Sequence, residues 1–329
     1  MKPLQGETAW LITDGKAGHE AQAQGVAEAL GVAYQWRRVT LTGLARMLAP
    51  WGPAPADAAW HCTPPWPDLA IGVGRTVMPA LRRLRRLAGP ATFVVALQDP
   101  RTSASIADLI WVPEHDRRRG PNVITTLTAP HRFTPALLDG LRAAPDARID
   151  ALPGPRVMVA VGGNAKAWRF TDEDAANLAA AIATFGRAGA SFMVTTSRRT
   201  PPAVAAALLR ALQPYAHVLF TGEGENPYAR FLAKADAIIV TADSVSMTAE
   251  AVATGRPVYV FRPSGGSNKF GRFHDSLYAC GATRPLNSEC QPAFDWGYAP
   301  ILAAQVIAQE IAERFANRRR FIARSLTSQ

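Results

Sequence analysis

Ala9-Trp10-Leu11-Ile12-Thr13-Asp14-Gly15-Lys16-Ala17-Gly18-His19-Glu20 decides the fold class. A short apolar strand ends at Thr13 and a polar glycine turn follows. Ala23, Val26, Ala27 and Leu30 then recur at i, i+3, i+4 and i+7, the spacing of one helix face. The same grammar returns at 69–73, where Gly74-Arg75 leads into a helix carrying Met78, Leu81, Leu84 and Leu87. Residues 92–97 run into Gln98-Asp99-Pro100-Arg101, and 109–112 into Pro113-Glu114-His115-Asp116. Short apolar strands that end in polar turns, with helices between them, predict a parallel α/β sheet.

Residues 143–155 are rich in proline and small residues and break this pattern, so the linker is placed there. The grammar restarts where 157–161 enters Gly162-Gly163-Asn164, and a helix after Thr171 carries Leu178, Ile182 and Phe185. Further strands are read at 192–196, 218–221, 237–241 and 258–261, with a helix beginning near Ser244. The expectation is two α/β domains, 1–145 and 155–304, and a helix over 305–329 that returns to pack on the first. Residues 50–67 hold six prolines with Trp51, Trp60 and Trp66 and read as a long ordered loop.

At 329 residues, 48% hydrophobic and 19% charged, the composition excludes disorder and fits two domains of roughly 150 residues. No apolar stretch approaches the roughly 20 residues that cross a bilayer. Lys2 is followed by polar and acidic residues where a signal peptide would be apolar, so the expected location is the cytoplasm. Cys62, Cys280 and Cys290 are odd in number and form no Cys-x-x-Cys pair, which predicts free thiols and no structural zinc. The formal charge of +10 admits nucleic acid, an anionic membrane surface or a phosphorylated substrate, and both halves of the chain share it.

In open parallel sheets, ligands bind outside the carboxyl ends of the strands, where turns and helix starts present backbone N–H groups. Gly162-Gly163-Asn164 occupies such an end. Glycine lets backbone approach an anion, and it also serves as a plain turn. In Thr241-Ala242-Asp243-Ser244-Val245-Ser246-Met247 a strand ends at Thr241, and Asp243, Ser244 and Ser246 open a helix that contains Glu250. One reading is a capped helix. The other is a helix start facing a phosphate, with Glu250 accepting hydrogen bonds from ribose hydroxyls.

These motifs, together with Gly265-Gly266-Ser267-Asn268-Lys269-Phe270, run through most of the chain and resemble the "elongated mitochondria" family of mitochondrial-fission proteins and its bacterial relatives. More distantly, the layout is similar to glycosyltransferases of the GT-B type, especially the lipid-linked N-acetylglucosaminyl transferase of peptidoglycan synthesis. The resemblance implies two facing Rossmann-like domains, with a nucleotide-sugar donor in the second and an acceptor in the first. It places Gly18-His19 at that class's first-domain glycine turn, Gly162-Gly163 at its second, and 244–250 at its serine-rich helix start and ribose-binding Glu. Asp14 and Lys16 depart from a pattern of mainly small residues, which implies a differently charged acceptor pocket. The plant member's association with recruiting a dynamin-like protein keeps a non-catalytic adaptor at a membrane as the rival.

An unperturbed histidine titrates near pH 6.5, which makes His19 the candidate general base for an acceptor hydroxyl. Asp14 is the next candidate, and Lys16 is either its exposed ion-pair partner or an anchor for phosphate or acceptor. Gly15, Gly18, Arg75, Asp99 and Arg101 are placed on the acceptor side. Gly162, Gly163, Asn164, Asp243, Ser244, Ser246 and Glu250 are placed on the donor side, joined by Lys269, Arg272 and His274 from the glycine-rich basic segment 264–274. Asp172-Glu173-Asp174 reads as a cap behind Thr171, and His115 as a polar strand end. No metal and no cofactor beyond the nucleotide-sugar substrate are expected. Arg82-Arg83-Leu84-Arg85-Arg86 reads as a solvated face, with no nucleic acid expected; with the three tryptophans it suggests peripheral attachment to an anionic membrane surface, on its inner face. The expected activity is metal-independent sugar transfer to a lipid-linked or envelope-glycan acceptor. An epimerase is disfavoured because no Gly-x-Gly-x-x-Gly follows the first strand and no Tyr-x-x-x-Lys pair occurs.

Overall fold

The structure, a computed structural model, describes residues 3–220, 222–287 and 290–327; Lys2 and Thr221 lie outside them. Two compact units are formed, Met1–Arg132 with Leu302–Gln329, and Phe133–Ile301.

The first unit contains β1 Thr8–Thr13, α1 Ala17–Leu30, β2 Ala33–Arg38, α2 Gly43–Leu48, β3 Leu69–Val73, α3 Met78–Ala88, β4 Phe93–Leu97, β5 Leu109–Pro113 and β6 Val123–Thr126. Its strands pair in parallel in the order β2-β1-β3-β4-β5-β6. Because side chains alternate across a strand, one face of the sheet (Leu11, Ile71, Val95, Trp111) packs on Val26 and Leu30 of α1. The other face (Trp10, Ile12, Val94, Ile110) packs on Leu81 and Leu84 of α3. Burial on both faces is why the central strands are continuous apolar runs.

The second unit begins earlier than the proline-rich stretch at 143–155 suggests. Helices α4 Pro135–Ala143 and α5 Ala147–Asp150 belong to it, because Arg142 Nε donates to the Ala233 carbonyl at 2.8 Å and Lys234 Nζ meets Asp150 at 2.7 Å. There follow β7 Arg156–Val161, α6 Asp172–Arg187, β8 Ser191–Thr196, α7 Pro202–Leu212, β9 His217–Phe220, α8 Tyr228–Lys234, β10 Ala237–Thr241, α9 Val245–Val252, β11 Val258–Phe261, α10 Asn268–Ala279 and β12 Arg284–Leu286. The sheet order is β12-β11-β10-β7-β8-β9, again parallel. Helix α6 starts on a reciprocal capping box between Thr171 and Asp174, so the acidic triplet is a cap.

Helix α11 Ala303–Thr327 returns to the first unit, where Ile307, Ile311 and Phe315 enter the core shared with α1. Arg318 meets Asp108 at 2.7 Å, and Arg319 meets Glu7 and Asp68. Among the described residues, no helix is long and apolar enough to cross a membrane. The 50–67 segment is only partly a loop, since a 3-10 turn spans Asp57–Trp60. Trp60 is buried and Trp66 stacks edge-on against Trp10, which leaves Trp51 as the exposed member of the three.

Each strand order reverses direction at one place, beside β1 and β3 in the first sheet and beside β7 and β10 in the second. In open α/β sheets, such switch points open a crevice at the strands' carboxyl ends.

Candidate functional site

At the first switch point, Asp14 follows β1. Its carboxylate accepts hydrogen bonds from Lys16 Nζ and, at 3.0 Å, from the Thr76 hydroxyl just after β3, and it lies 2.8 Å from His19 Nδ1 on α1. Burial opposes the charge, but the Lys16 hydrogen bond, the charge of His19 and the Thr76 hydroxyl outweigh it and hold the Asp14 pKa down to about 2. An ionised Asp14 orients His19 with Nδ1 as the donor, leaving Nε2 with no hydrogen-bond partner among the described residues. Gly74 makes room for this pair. It lies at φ 82°, and a Cβ there would stand 2.6 Å from His19 Cε1.

Other first-unit candidates are held in place by the protein itself. Asp99 accepts from Arg118 Nε at 2.7 Å and from the Arg101 amide at 2.9 Å. Arg75 donates to the Ala49 carbonyl at 3.0 Å, so its guanidinium braces a neighbouring turn. Gln98 and Arg101 both lie at positive φ, 73° and 54°, marking the β4 end as a strained turn. Gln98 Nε2 reaches Gln22 Oε1 on α1 at 3.0 Å, one helical turn after His19. Gln22, Thr76 and Arg118 escaped the sequence reading. Gln22 was detectable as a polar residue on the His19 face of α1.

At the second switch point, the geometry corrects the role expected of the glycine turn. The Gly162 amide donates to Thr241 Oγ1 at 2.8 Å, the Gly163 amide to Asp243 Oδ2 at 2.9 Å and the Asn164 amide to the Arg199 carbonyl at 3.2 Å. All three N–H groups are thus taken up inside the protein. A Cβ on Gly162 would lie 2.2 Å from Asp243 Oδ2, so these glycines permit close packing of two strand ends. Asp243 is buried and also accepts from the Thr241 hydroxyl at 2.7 Å, which makes it a clamp between β7 and β10. The Asn164 side chain accepts from the Phe170 amide at 2.8 Å.

His274 is likewise corrected: it is buried and its Nε2 lies 3.0 Å from the Ala242 carbonyl, beneath the site. Lys269 and Arg272 are exposed on α10. Ser244 caps α9 by accepting from the Met247 amide at 3.3 Å. The Val245 and Ser246 amides ahead of it have no acceptor among the described residues. Glu250 accepts a 2.6 Å hydrogen bond from the hydroxyl of Tyr228, whose pKa is pushed well above its ordinary value by burial and by the Glu250 charge. Arg199, half-exposed after β8, reaches the Asn164 carbonyl at 3.0 Å and Asp243 at 3.4 Å. Tyr228 has no local signal, but Ser197-Arg198-Arg199 is a basic strand end that the strand-end rule could have found.

The family model described as Mitochondrial fission ELM1 matches residues 17–315. Mitochondrial fission protein ELM1 of Arabidopsis thaliana is 30% identical over 276 residues, 75% of this chain and 65% of the plant protein. An uncharacterized protein of Rickettsia prowazekii is 31% identical over 159 residues, 46% of this chain and 45% of that protein. The chain therefore spans less than two thirds of the length of either relative. UDP-GlcNAc 2-epimerase from Methanocaldococcus jannaschii superposes with a TM-score of 0.56 at 10% identity, covering 93% of this chain and 99% of that one. This likeness is one of fold, the two-sheet α/β architecture of the GT-B type.

Proposed function

This chain belongs to the mitochondrial fission ELM1 family, and from that premise we propose that it transfers a sugar from a nucleotide-diphosphate donor to an acceptor hydroxyl. The observation that carries this reading is the Asp14–His19 pair at the first switch point. With Asp14 ionised and His19 Nδ1 donating to it, Nε2 is the basic atom. It takes the proton of the acceptor hydroxyl as the oxygen attacks the sugar, and Asp14 stabilises the resulting imidazolium.

Donor binding falls to the second unit. The Val245 and Ser246 amides at the start of α9 and the Arg199 guanidinium receive the diphosphate and compensate the charge that grows on it as it leaves. Glu250, oriented by Tyr228, accepts the ribose hydroxyls. Gly162, Gly163 and Asp243 shape this pocket without touching the phosphates. Lys269 and Arg272 extend the positive field towards the sugar.

Calorimetric titration with a panel of nucleoside diphosphates and their sugars, UDP-N-acetylglucosamine first, tests the reading. Binding should weaken by roughly 1 to 3 kcal/mol in Glu250→Ala and in Arg199→Ala, the scale of hydrogen bonds to charged groups. His19→Ala should keep nucleotide affinity and lower turnover by about 10² to 10⁴. A folded protein that binds no nucleotide would favour the adaptor. A donor sugar epimerised with no acceptor consumed would replace transfer by epimerisation.

A further inference from the structure

Leu44, Met47 and Leu48 stand at i, i+3 and i+4 of α2 and are 68%, 77% and 47% exposed; Trp51, 68% exposed, follows in the next turn. Four large apolar side chains thus reach solvent within one short segment. The platform beneath them is tightly held. The Trp51 and Gly52 amides donate to the Leu48 carbonyl at 2.8 and 2.9 Å. Arg82 donates to the Pro50, Trp51 and Gly52 carbonyls at 3.1, 3.1 and 2.6 Å, and Arg75 to that of Ala49 at 3.0 Å. Two arginines therefore hold an apolar face outward, which costs solvation unless something covers it.

The charge around this face selects the cover. Residues 29–56 contain Arg37, Arg38 and Arg46 and no Asp or Glu. Arg46 is exposed on α2, and Arg46, Arg75 and Arg82 pair with no carboxylate among the described residues. Within the unit Arg38 pairs with Glu20, Arg83 with Asp57 and Arg85 with Asp108, while Arg86 is exposed. An apolar centre with a tryptophan, ringed by uncompensated guanidinium groups, matches the boundary of an anionic bilayer. There Leu and Met enter the acyl region, Trp sits at the interface and Arg meets the head-group phosphates.

We propose that α2 and the turn through Trp51 dock the first unit on an anionic bilayer. Arg75, which braces this surface, adjoins Thr76, which hydrogen-bonds Asp14 at the candidate acceptor site. Docking would hold a lipid-borne acceptor near His19, but the inference stands on the exposed face itself and not on sugar transfer.

Flotation of the full chain with phosphatidylcholine vesicles, with and without phosphatidylglycerol, tests it. The chain should float with the anionic vesicles and lose recovery at high salt. The exposed double variant Met47→Ser/Trp51→Ser should partition about a hundredfold more weakly with an unchanged melting temperature. Arg46→Gln should weaken partition roughly fivefold. Absence of flotation, equal recovery with neutral vesicles, or flotation indifferent to the double variant would overturn the proposal. So would self-association, or capture of an acidic protein, that the double variant abolishes while vesicle binding persists. Nucleotide titration on the same variants reads the donor site separately, so failure here leaves the transfer reading intact.

Discussion

Asp14 carries the most charge chemistry of any candidate in the first unit, with Lys16, His19 and Thr76 all directed at one carboxylate. Its folded pKa of about 2 lies below the 3.8 of a free aspartate, so the stabilisation is complete above pH 4 and is lost as the pH falls towards 2. Asp14→Asn should therefore lower stability by roughly 1 to 2 kcal/mol at pH 7, with the deficit vanishing near pH 2. Chemical denaturation at both pH values measures this; an equal deficit at both would mean the loss is steric. In the second unit, Tyr228→Phe removes the hydroxyl that orients Glu250. About 1 kcal/mol of stability should go with it, and nucleotide affinity should fall by less than in Glu250→Ala. Candidate residues of this kind were legible by type and position. Their partners were not, because Thr76 and Tyr228 lie 62 and 22 residues away from the carboxylates they contact.

At the scale of elements, the central strands were readable as apolar runs, whereas β2, β6 and β12 were missed. All three lie at sheet edges. An edge strand is buried less completely, so Ala-Tyr-Gln-Trp-Arg-Arg in β2 and Val-Ile-Thr-Thr in β6 alternate or turn polar and lose the signal of a core strand. The glycine turns divide in a way that period and composition cannot reveal. Gly162→Ala would drive a methyl into a buried carboxylate clamped by two strand ends, so it should destabilise by more than about 2 kcal/mol. A Cβ on Gly18, in the first turn of α1, meets nothing within 4 Å, and Gly18→Ala should be stabilising by up to about 1 kcal/mol. Thermal melts of the two variants should move in opposite directions. A drop for Gly18→Ala would show that α1 needs glycine for a reason outside its packing.

Over the whole molecule, the C-terminal helix is part of the first unit's core. Ile307, Ile311 and Phe315 are buried with α1, so a chain ending at 301 would lose the burial of those three side chains and expose the α1 surface they cover. At about 1.5 to 3 kcal/mol each, that approaches the total stability of an ordinary domain. The truncated protein should lose the cooperative transition of the first unit while the second, which ends at Ile301, keeps its own; two-probe unfolding monitored in each unit would show this. Two parallel sheets, a glycine turn after each leading strand and a polar first turn holding Asp14, Lys16 and His19 could all be read locally, because strand burial, turn chemistry and helix period act over a few residues. Which donors at those turns stay open to a ligand depended on folding. The Gly163 amide meets Asp243 across 80 residues and Arg142 meets Ala233 across 91, and such bonds follow from sheet order and packing, which no local stretch encodes.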